Sequence, residues 1–136
     1  MTLDDKAIIY IPDGTEQEKA LSRTTHLCIA AHQDDIEFMA FSPIAECFGS
    51  KDKYFCGVVT TDGAGSPRNG LYENYTDEYM KAIRIDEQKK AAAVGEYTAQ
   101  ILLGYSSNEV KDKNNGQVIK DYVEILKATK PEYVYI

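Results

Sequence analysis

Apolar residues fall into short runs that polar or helically patterned segments separate. The runs that are rich in β-branched and aromatic residues predict five strands, at 7–11, 26–31, 54–61, 99–103 and 132–136. The second run is apolar almost throughout, which is typical of a strand covered on both faces in a parallel sheet. We therefore expect this second strand to be central in the sheet.

Apolar residues at helical spacing predict three helices, over 36–48, 76–96 and 117–128. Pro43 is expected to kink or split the first helix, because proline has no N–H for the helical hydrogen bond. Residues 15–23 are expected to form a charged connector. The residues that should face inward in the second and third helices are Met80, Ile83, Ala91, Val94, Val118, Ile119, Tyr122, Ile125 and Leu126.

This alternation of strands and helices predicts an α/β protein, in the form of a Rossmann-like α/β/α sandwich with a mostly parallel sheet. In such a sheet, the carboxyl ends of neighbouring strands lie at one edge, where the binding site is found. We therefore expect the polar segments that begin at His32, Asp62 and Gly104 to lie close together.

The most informative segment is Ala31-His32-Gln33-Asp34-Asp35-Ile36-Glu37, which directly follows the second predicted strand. His32 and Asp35 are three residues apart, so a turn or a first helical turn brings them together as two ligands of one metal ion. Asp34 then points elsewhere and is a candidate general base. Glu37 is a candidate for orienting a metal ligand or for favouring the start of the following helix.

A simpler interpretation of the same segment remains open. Asp34 or Asp35 caps a helix N-terminus in that interpretation, and His32 is an ordinary loop residue.

The second predicted helix carries two charged residues on its apolar stripe. Arg84 and Glu87 lie three positions apart and are expected to pair. Because a buried ion pair is rarely a net source of stability, its presence favours a functional role. The alternative is an ion pair at the edge of the stripe with no such role.

The segment from Asp62 to about Tyr75 is long for a simple connection and contains Pro67, Gly70 and Tyr72. Two interpretations have equal weight. The segment is either a loop that covers a substrate or a surface excursion held by its tyrosines.

The length of the chain and its net charge argue against some classes of partner. A chain of 136 residues fits a single domain, and 15 basic against 22 acidic residues give a net charge of −7. This charge argues against nucleic acid and anionic membranes as partners. No signal peptide or membrane span is evident, and three cysteines without metal-site spacing are expected to be reduced core residues, so a cytoplasmic location is expected.

The segment from Ala31 to Glu37 resembles the Ala-His-Pro-Asp-Asp-(Ile)-Glu signature of the LmbE/PIG-L family of zinc-dependent N-deacetylases. The resemblance implies that His32 and Asp35 bind zinc and that Asp34 is the general base. Gln33 replaces the usual proline, a change that removes no catalytic group.

A second segment, Arg84-x-x-Glu87-x-x-x-Ala91-Ala92-x-x-Gly95, resembles the Arg-x-x-Glu helix of the same family. It implies that Arg84 contacts the substrate and that Glu87 holds Arg84 in place. The polar turn Thr60–Gly65 is similar to the family's second segment. Together these matches imply an LmbE-like fold and hydrolysis of an N-acetyl amide on a small molecule, either an amino-sugar or a glycoconjugate.

The resemblance also implies Zn²⁺ as the cofactor, although His32 and Asp35 alone do not exclude Fe²⁺ or another divalent ion. Family members supply a third ligand from a His-x-x-His-type segment after the last predicted strand, and His26 lies at the wrong end of its strand to replace it. We therefore expect residues 1–136 to be the N-terminal part of a longer natural chain, and this chain alone to bind metal poorly and to be inactive.

A non-catalytic α/β domain that binds a small polar molecule is the alternative. The sequence leaves open whether the chain forms a homo-oligomer.

Overall fold

The computed structural model describes residues 1–136 as a mixed α/β protein built on one five-stranded sheet. The order of the strands in the sheet is β1-β4-β3-β2-β5. β1 pairs with β4 in antiparallel orientation, whereas all other pairs are parallel. The strands are β1 (Ile8–Tyr10), β2 (His26–Ala30), β3 (Phe55–Thr61), β4 (Ala99–Tyr105) and β5 (Tyr133–Tyr135). The predicted fold class is confirmed.

Six α-helices and one 3₁₀ turn connect the strands. The 3₁₀ turn, Gly70–Tyr72, lies in the long segment that follows β3. The helices are α1 (Gln17–Ser22), α2 (Asp35–Met39), α3 (Phe41–Cys47), α4 (Asp77–Val94), α5 (Ser107–Lys111) and α6 (Gln117–Thr129).

Two apolar cores lie on opposite faces of the sheet, because successive residues of a strand point to opposite sides. One core contains Leu27, Cys56 and Ile101 with residues of α1 and α6. The other contains Cys28, Val59 and Leu102 with residues of α2, α3 and α4. The protein is therefore a three-layer α/β/α sandwich, and all three cysteines are free and buried in it.

Two short helices occur where the sequence predicts connectors, and each has a local cause. The Glu16 carboxylate accepts hydrogen bonds from the backbone N–H groups of Glu18 and Lys19 and so caps α1. Ser106 and Glu109 form a reciprocal capping box at the start of α5. The prediction of a plain connector over residues 15–23 was wrong, because side-chain capping there favours a helix that buries Ala20 and Leu21.

The predicted helix over 36–48 is split, as expected, but the break lies at Ala40 rather than at Pro43. Pro43 is in the first turn of α3, where a helix needs no backbone N–H. The proline therefore fits the start of a second helix and excludes continuation of the first.

The buried faces of α4 and α6 differ in part from the predicted stripes. Val94 of α4 and Ile119 of α6 are exposed, and the buried residues of α4 are Met80, Gln88 and Ala92. Residues on the inward face of α4 recur every four positions, and Arg84 falls between Met80 and Gln88 in this series. The inward face therefore carries two polar side chains, those of Arg84 and Gln88.

The strand ends meet at one edge, as predicted, although β3 rather than β2 occupies the middle of the sheet. The backbone N–H of Thr61 donates to the carbonyl of Ala31, and the N–H of Asp62 donates to the carbonyl of Tyr105. Gly104 lies within β4, which ends at Tyr105, so the third loop at this edge begins two residues later than predicted.

Candidate metal centre

The loop that follows β2 turns sharply at Asp34 and leads into α2. Asp34 is the residue before the helix, and its backbone has φ 71° and ψ −21°, in the left-handed region. Its side chain makes no capping hydrogen bond to the helix. This geometry does not match the simpler interpretation in which Asp34 caps α2.

His32 and Asp35 lie side by side at the surface of the loop. The Nδ1 atom of His32 is 3.2 Å from Oδ2 of Asp35, and the same oxygen accepts a hydrogen bond from the backbone N–H of His32 at 3.0 Å. The two side chains are 61% and 42% exposed, and Asp35 pairs with no lysine or arginine. An imidazole nitrogen and an uncompensated carboxylate at this separation are donors that suit a divalent transition metal.

These two residues do not reach the number of ligands that a catalytic zinc normally has. No group of three or more His, Cys, Asp or Glu side chains in the structure is arranged to hold a metal ion. His26 lies at the other end of β2, where it stacks on Tyr133 and contacts Glu46. The types of donor atom therefore fit zinc, but His32 and Asp35 are only two of the three protein ligands that a catalytic zinc usually has.

Asp34 faces α4 and pairs with Arg84. Its Oδ2 atom is 2.9 Å from Nη2 of Arg84, and Oδ1 has no partner. The same Nη2 group donates to the backbone carbonyl of Gln33 at 3.0 Å, and Nη1 of Arg84 binds Glu87 at 2.6 Å. The predicted pair of Arg84 and Glu87 is thus present, and it also reaches the loop that carries Asp34.

The charge of Arg84 is stabilised by its surroundings although its side chain is only 17% exposed. Burial alone lowers the pKa of Arg84, but the hydrogen bonds and negative charges of Asp34 and Glu87 outweigh burial and raise it. Arg84 therefore remains a cation at the base of the site.

Glu37 contacts neither His32 nor Asp35. Its Oε1 atom accepts hydrogen bonds from the hydroxyl of Tyr97 at 2.7 Å and from Nε2 of Gln88 at 3.0 Å, and Oε2 is buried without a partner. Burial and the Glu37 carboxylate together raise the pKa of the Tyr97 hydroxyl. Glu37 supports the site from the α4 side of the sheet rather than through the two predicted ligands.

Two glutamines that the sequence analysis did not select join the site to the rest of the protein. Gln33 is buried, and its Nε2 donates to the carbonyl of Thr61 at 3.0 Å, which ties the first loop to the end of β3. Gln88 is fully buried, and its Oε1 accepts from the backbone N–H of Asp34 at 3.1 Å. A signal for Gln88 existed in the sequence, because it lies one helical turn after Arg84 on the inward face.

A polar cleft of about 330 Å³ opens beside these residues. One side of the cleft is lined by His32, Asp35 and Arg84. Ser107, which follows β4, also lines the cleft. The remaining wall is the start of the long loop, with Thr61, Gly63, Gly65, Ser66 and Pro67. A larger depression of about 610 Å³, between α1 and the end of α6, borders none of the predicted site residues.

The long loop has an internal scaffold formed by Arg68. Its guanidinium donates to the backbone carbonyls of Ala64, Ser66 and Tyr75 and to the carboxylate of Asp77. The rings of Tyr72, Tyr75 and Tyr79 pack in sequence beside it, and the hydroxyl of Tyr72 lies 3.4 Å from Glu87. The loop thus borders the cleft and is also held by its tyrosines. These contacts are compatible both with a loop that covers a substrate and with a surface excursion.

Comparison with known proteins adds one match. The profile of the family described as PIG-L, GlcNAc-PI de-N-acetylase, matches residues 27–136. No curated protein and no solved structure gives a significant match. None of the helices combines the length and the apolar character that a membrane span requires.

Proposed function

The chain belongs to the PIG-L family, and from this premise we propose that it is a metal-dependent hydrolase that removes an N-acetyl group from an amino-sugar-type substrate. The observation that carries the proposal is that His32 and Asp35 line one polar cleft, together with Arg84, the residue that pairs with Asp34. The side chains of His32 and Asp35 lie together as metal donors. The side chain of Asp34 is close by but is turned toward Arg84. The family match confirms the resemblance on which this assignment of roles was based.

His32 and Asp35 would hold the metal, which is Zn²⁺ in this proposal, with Fe²⁺ as the other candidate. A divalent cation in this position supplies Lewis-acid activation of a water and of the acetyl carbonyl. Because a catalytic zinc normally takes three protein ligands, a third donor must join His32 and Asp35 at the metal.

Asp34 is the general base of the proposed reaction. Arg84 holds one carboxylate oxygen, and Oδ1 is free to take a proton from the attacking water. The same carboxyl then returns a proton to the leaving amine nitrogen. Arg84 holds the carboxylate in a fixed direction, which is what a base needs before each turnover.

Arg84 also contacts the substrate in this proposal, and Glu87 holds its guanidinium in place. Asp34, Gln33 and Glu87 occupy three of the five N–H groups that a guanidinium carries. Two N–H groups are left. The one on Nε is buried without a partner, and the one on Nη1 remains for a substrate oxygen. The polar lining of the cleft suits a sugar, and we propose an N-acetylated amino-sugar or glycoconjugate and a cytoplasmic site of action.

A second candidate function is a non-catalytic domain that binds a small polar molecule at the same edge. The observation that favours it is the absence of a third donor near His32 and Asp35. Such a domain would keep the cleft and the Asp34 pair with Arg84 but would bind metal weakly.

Metal binding together with acetate release distinguishes the two candidates. We expect zinc binding by the protein to weaken at least tenfold in His32→Ala, and acetate release from N-acetylglucosaminyl substrates to be lost. Asp86→Asn, which changes an exposed carboxylate on α4, is the matched control and should change neither quantity. Zinc affinity that is equal in wild type and His32→Ala would refute the metal assignment, and tight binding without acetate release would favour the second candidate.

A further inference from the structure

Asp34 adopts a backbone conformation that a residue with a Cβ atom rarely adopts. Its φ of 71° lies in the left-handed region, and neither neighbour in the loop shares this conformation. Such a conformation persists where surrounding contacts determine it, and these cases concentrate at functional sites. The contact at the backbone of Asp34 is the hydrogen bond from its N–H to Oε1 of Gln88, at 3.1 Å.

The orientation of the Gln88 amide is fixed by its other contacts. Gln88 is fully buried, and its Nε2 donates to Oε1 of Glu37 at 3.0 Å and to Oε1 of Gln100 at 3.2 Å. Both partners are acceptors, so rotating the amide by half a turn would place an oxygen against two oxygens. The carbonyl of Gln88 is therefore held toward the N–H of Asp34.

Gln88 and Arg84 lie one turn apart on the inward face of α4, and both hold Asp34. Arg84 binds the carboxylate, and Gln88 binds the backbone. α4 therefore fixes both the conformation of the loop after β2 and the direction of the Asp34 side chain. Without the contact to Gln88, the N–H of Asp34 has no acceptor and the left-handed turn loses the bond that holds it.

We propose that Gln88 is a positioning residue that acts through Asp34, by holding its backbone so that the carboxylate stays paired with Arg84, which lines the cleft. The inference rests on the proposed function, in which Asp34 is the general base. Gln88 itself does not line the cleft and forms no hydrogen bond to either of the two predicted metal ligands, so its effect should appear in turnover rather than in metal or substrate binding.

Gln88→Met tests this role, because methionine has a similar length but cannot accept the hydrogen bond of Asp34. Gln100→Met is the matched control. Gln100 is equally buried and belongs to the same amide network, but it does not contact Asp34. When Gln100 is replaced, Glu37 still accepts from Nε2 of Gln88 and keeps the carbonyl of Gln88 toward Asp34. Both variants disturb the same core, so a difference between them reports the contact to Asp34.

Amide hydrogen exchange gives the first readout and requires no activity. In the wild-type chain, the Asp34 amide should be protected from exchange although its side chain is exposed. Exchange of this amide should become at least tenfold faster in Gln88→Met and stay within twofold in Gln100→Met. An unprotected Asp34 amide in the wild type would overturn the proposal without any variant.

Enzyme kinetics give the second readout. We expect kcat to fall at least tenfold in Gln88→Met, with KM and zinc affinity within twofold of wild type. In an Asp34→Asn background, Gln88→Met should cause no further loss, because residues that act as a unit are not additive. An additive loss would overturn the positioning role. Absence of acetate release from the wild type would refute the proposed function, and near-native turnover in Asp34→Asn would refute the base role of Asp34, while the exchange measurement still decides whether Gln88 holds Asp34.

Discussion

Asp34 shows most clearly how single residues define this site. Its backbone is bound by Gln88, one carboxylate oxygen is bound by Arg84, and the other oxygen is free. His32 and Asp35, in contrast, bind each other and are otherwise exposed. A residue that is held at two points and still presents one free oxygen fits proton transfer, whereas two exposed donors fit metal binding.

Replacing Asp34 by asparagine should separate these two properties. Asp34→Asn keeps the size of the side chain but removes the base, so we expect kcat for deacetylation to fall by roughly 10²–10⁴-fold. Zinc affinity should stay within twofold of wild type. Isothermal titration with zinc and a continuous assay of acetate release measure the two quantities, with Asp86→Asn as the control. Near-native turnover would show that Asp34 is not the base.

Gly63 is a second residue at which the local geometry allows a sharp prediction. It has φ 81°, and a Cβ atom there would lie 2.9 Å from Cγ of Arg84 and 2.9 Å from Oε1 of Gln33. Gly63→Ala should therefore destabilise the fold by roughly 1–3 kcal/mol through the unfavourable φ and these contacts. Gly65→Ala is the control, since a Cβ atom there meets nothing within 4 Å. Urea denaturation measures both, and equal stability of the two variants would contradict the geometry.

At the scale of elements, α4 and the long loop after β3 control the site from opposite sides. α4 presents Arg84 and Gln88 from its inward face, and both contacts reach the loop after β2. The loop over residues 62–75 forms the other wall of the cleft, and Arg68 binds three of its backbone carbonyls. α4 thus positions Asp34, and the loop forms the facing wall of the cleft.

The role of Arg68 as scaffold of this loop can be tested directly. Losing several charge-assisted hydrogen bonds should open the loop without unfolding the sheet, so Arg68→Ala should be cleaved within residues 62–75 roughly tenfold faster by a dilute protease. Arg68→Lys keeps the charge but cannot bind several carbonyls at once, and we expect it to resemble the alanine variant. The urea midpoint of unfolding serves as the control and should change little. Unchanged cleavage rates would show that the tyrosines hold the loop without Arg68.

At the scale of the whole molecule, an ion pair joins the N-terminal segment to α5, the helix that follows β4. Lys6, before β1, binds Glu109 of α5 at 2.7 Å, and its Nζ lies 4.1 Å from the ring centroid of Tyr105. The hydrogen bond from Lys6, followed by that from the backbone of Ser106, lowers the pKa of Glu109 to about 2. This contact links the N-terminal segment to the loop edge at which the cleft lies.

The lowered pKa predicts how stability depends on pH. A carboxyl group with a lower pKa in the folded state than in the unfolded state stabilises the protein above its unfolded pKa. That contribution is lost as the pH falls from the ordinary value of 4.5 toward about 2. Glu109→Gln should therefore show a smaller loss of stability between pH 5 and about pH 3 in urea titrations. Glu73→Gln, an exposed position, is the control, and identical pH slopes for Glu109→Gln and wild type would contradict this prediction.

The sequence by itself determined which residues stand at the ends of strands and which face a core. Alternation and helical spacing placed His32, Asp34 and Asp35 after β2, and Arg84 on the inward face of α4, because these patterns depend only on local geometry. They also placed the carboxyl ends of three neighbouring strands at one edge. The family match covers residues 27–136.

The tertiary structure decided which groups meet. The order of the strands, the pairing of Arg84 with Asp34 and the amide contacts of Gln33 and Gln88 join segments that are distant in the chain. Periodicity reports that a side chain turns inward, but its partner depends on strand register and on where a helix crosses the sheet. For this reason the sequence indicated the chemistry of the site, and only the fold showed what holds Asp34 in position.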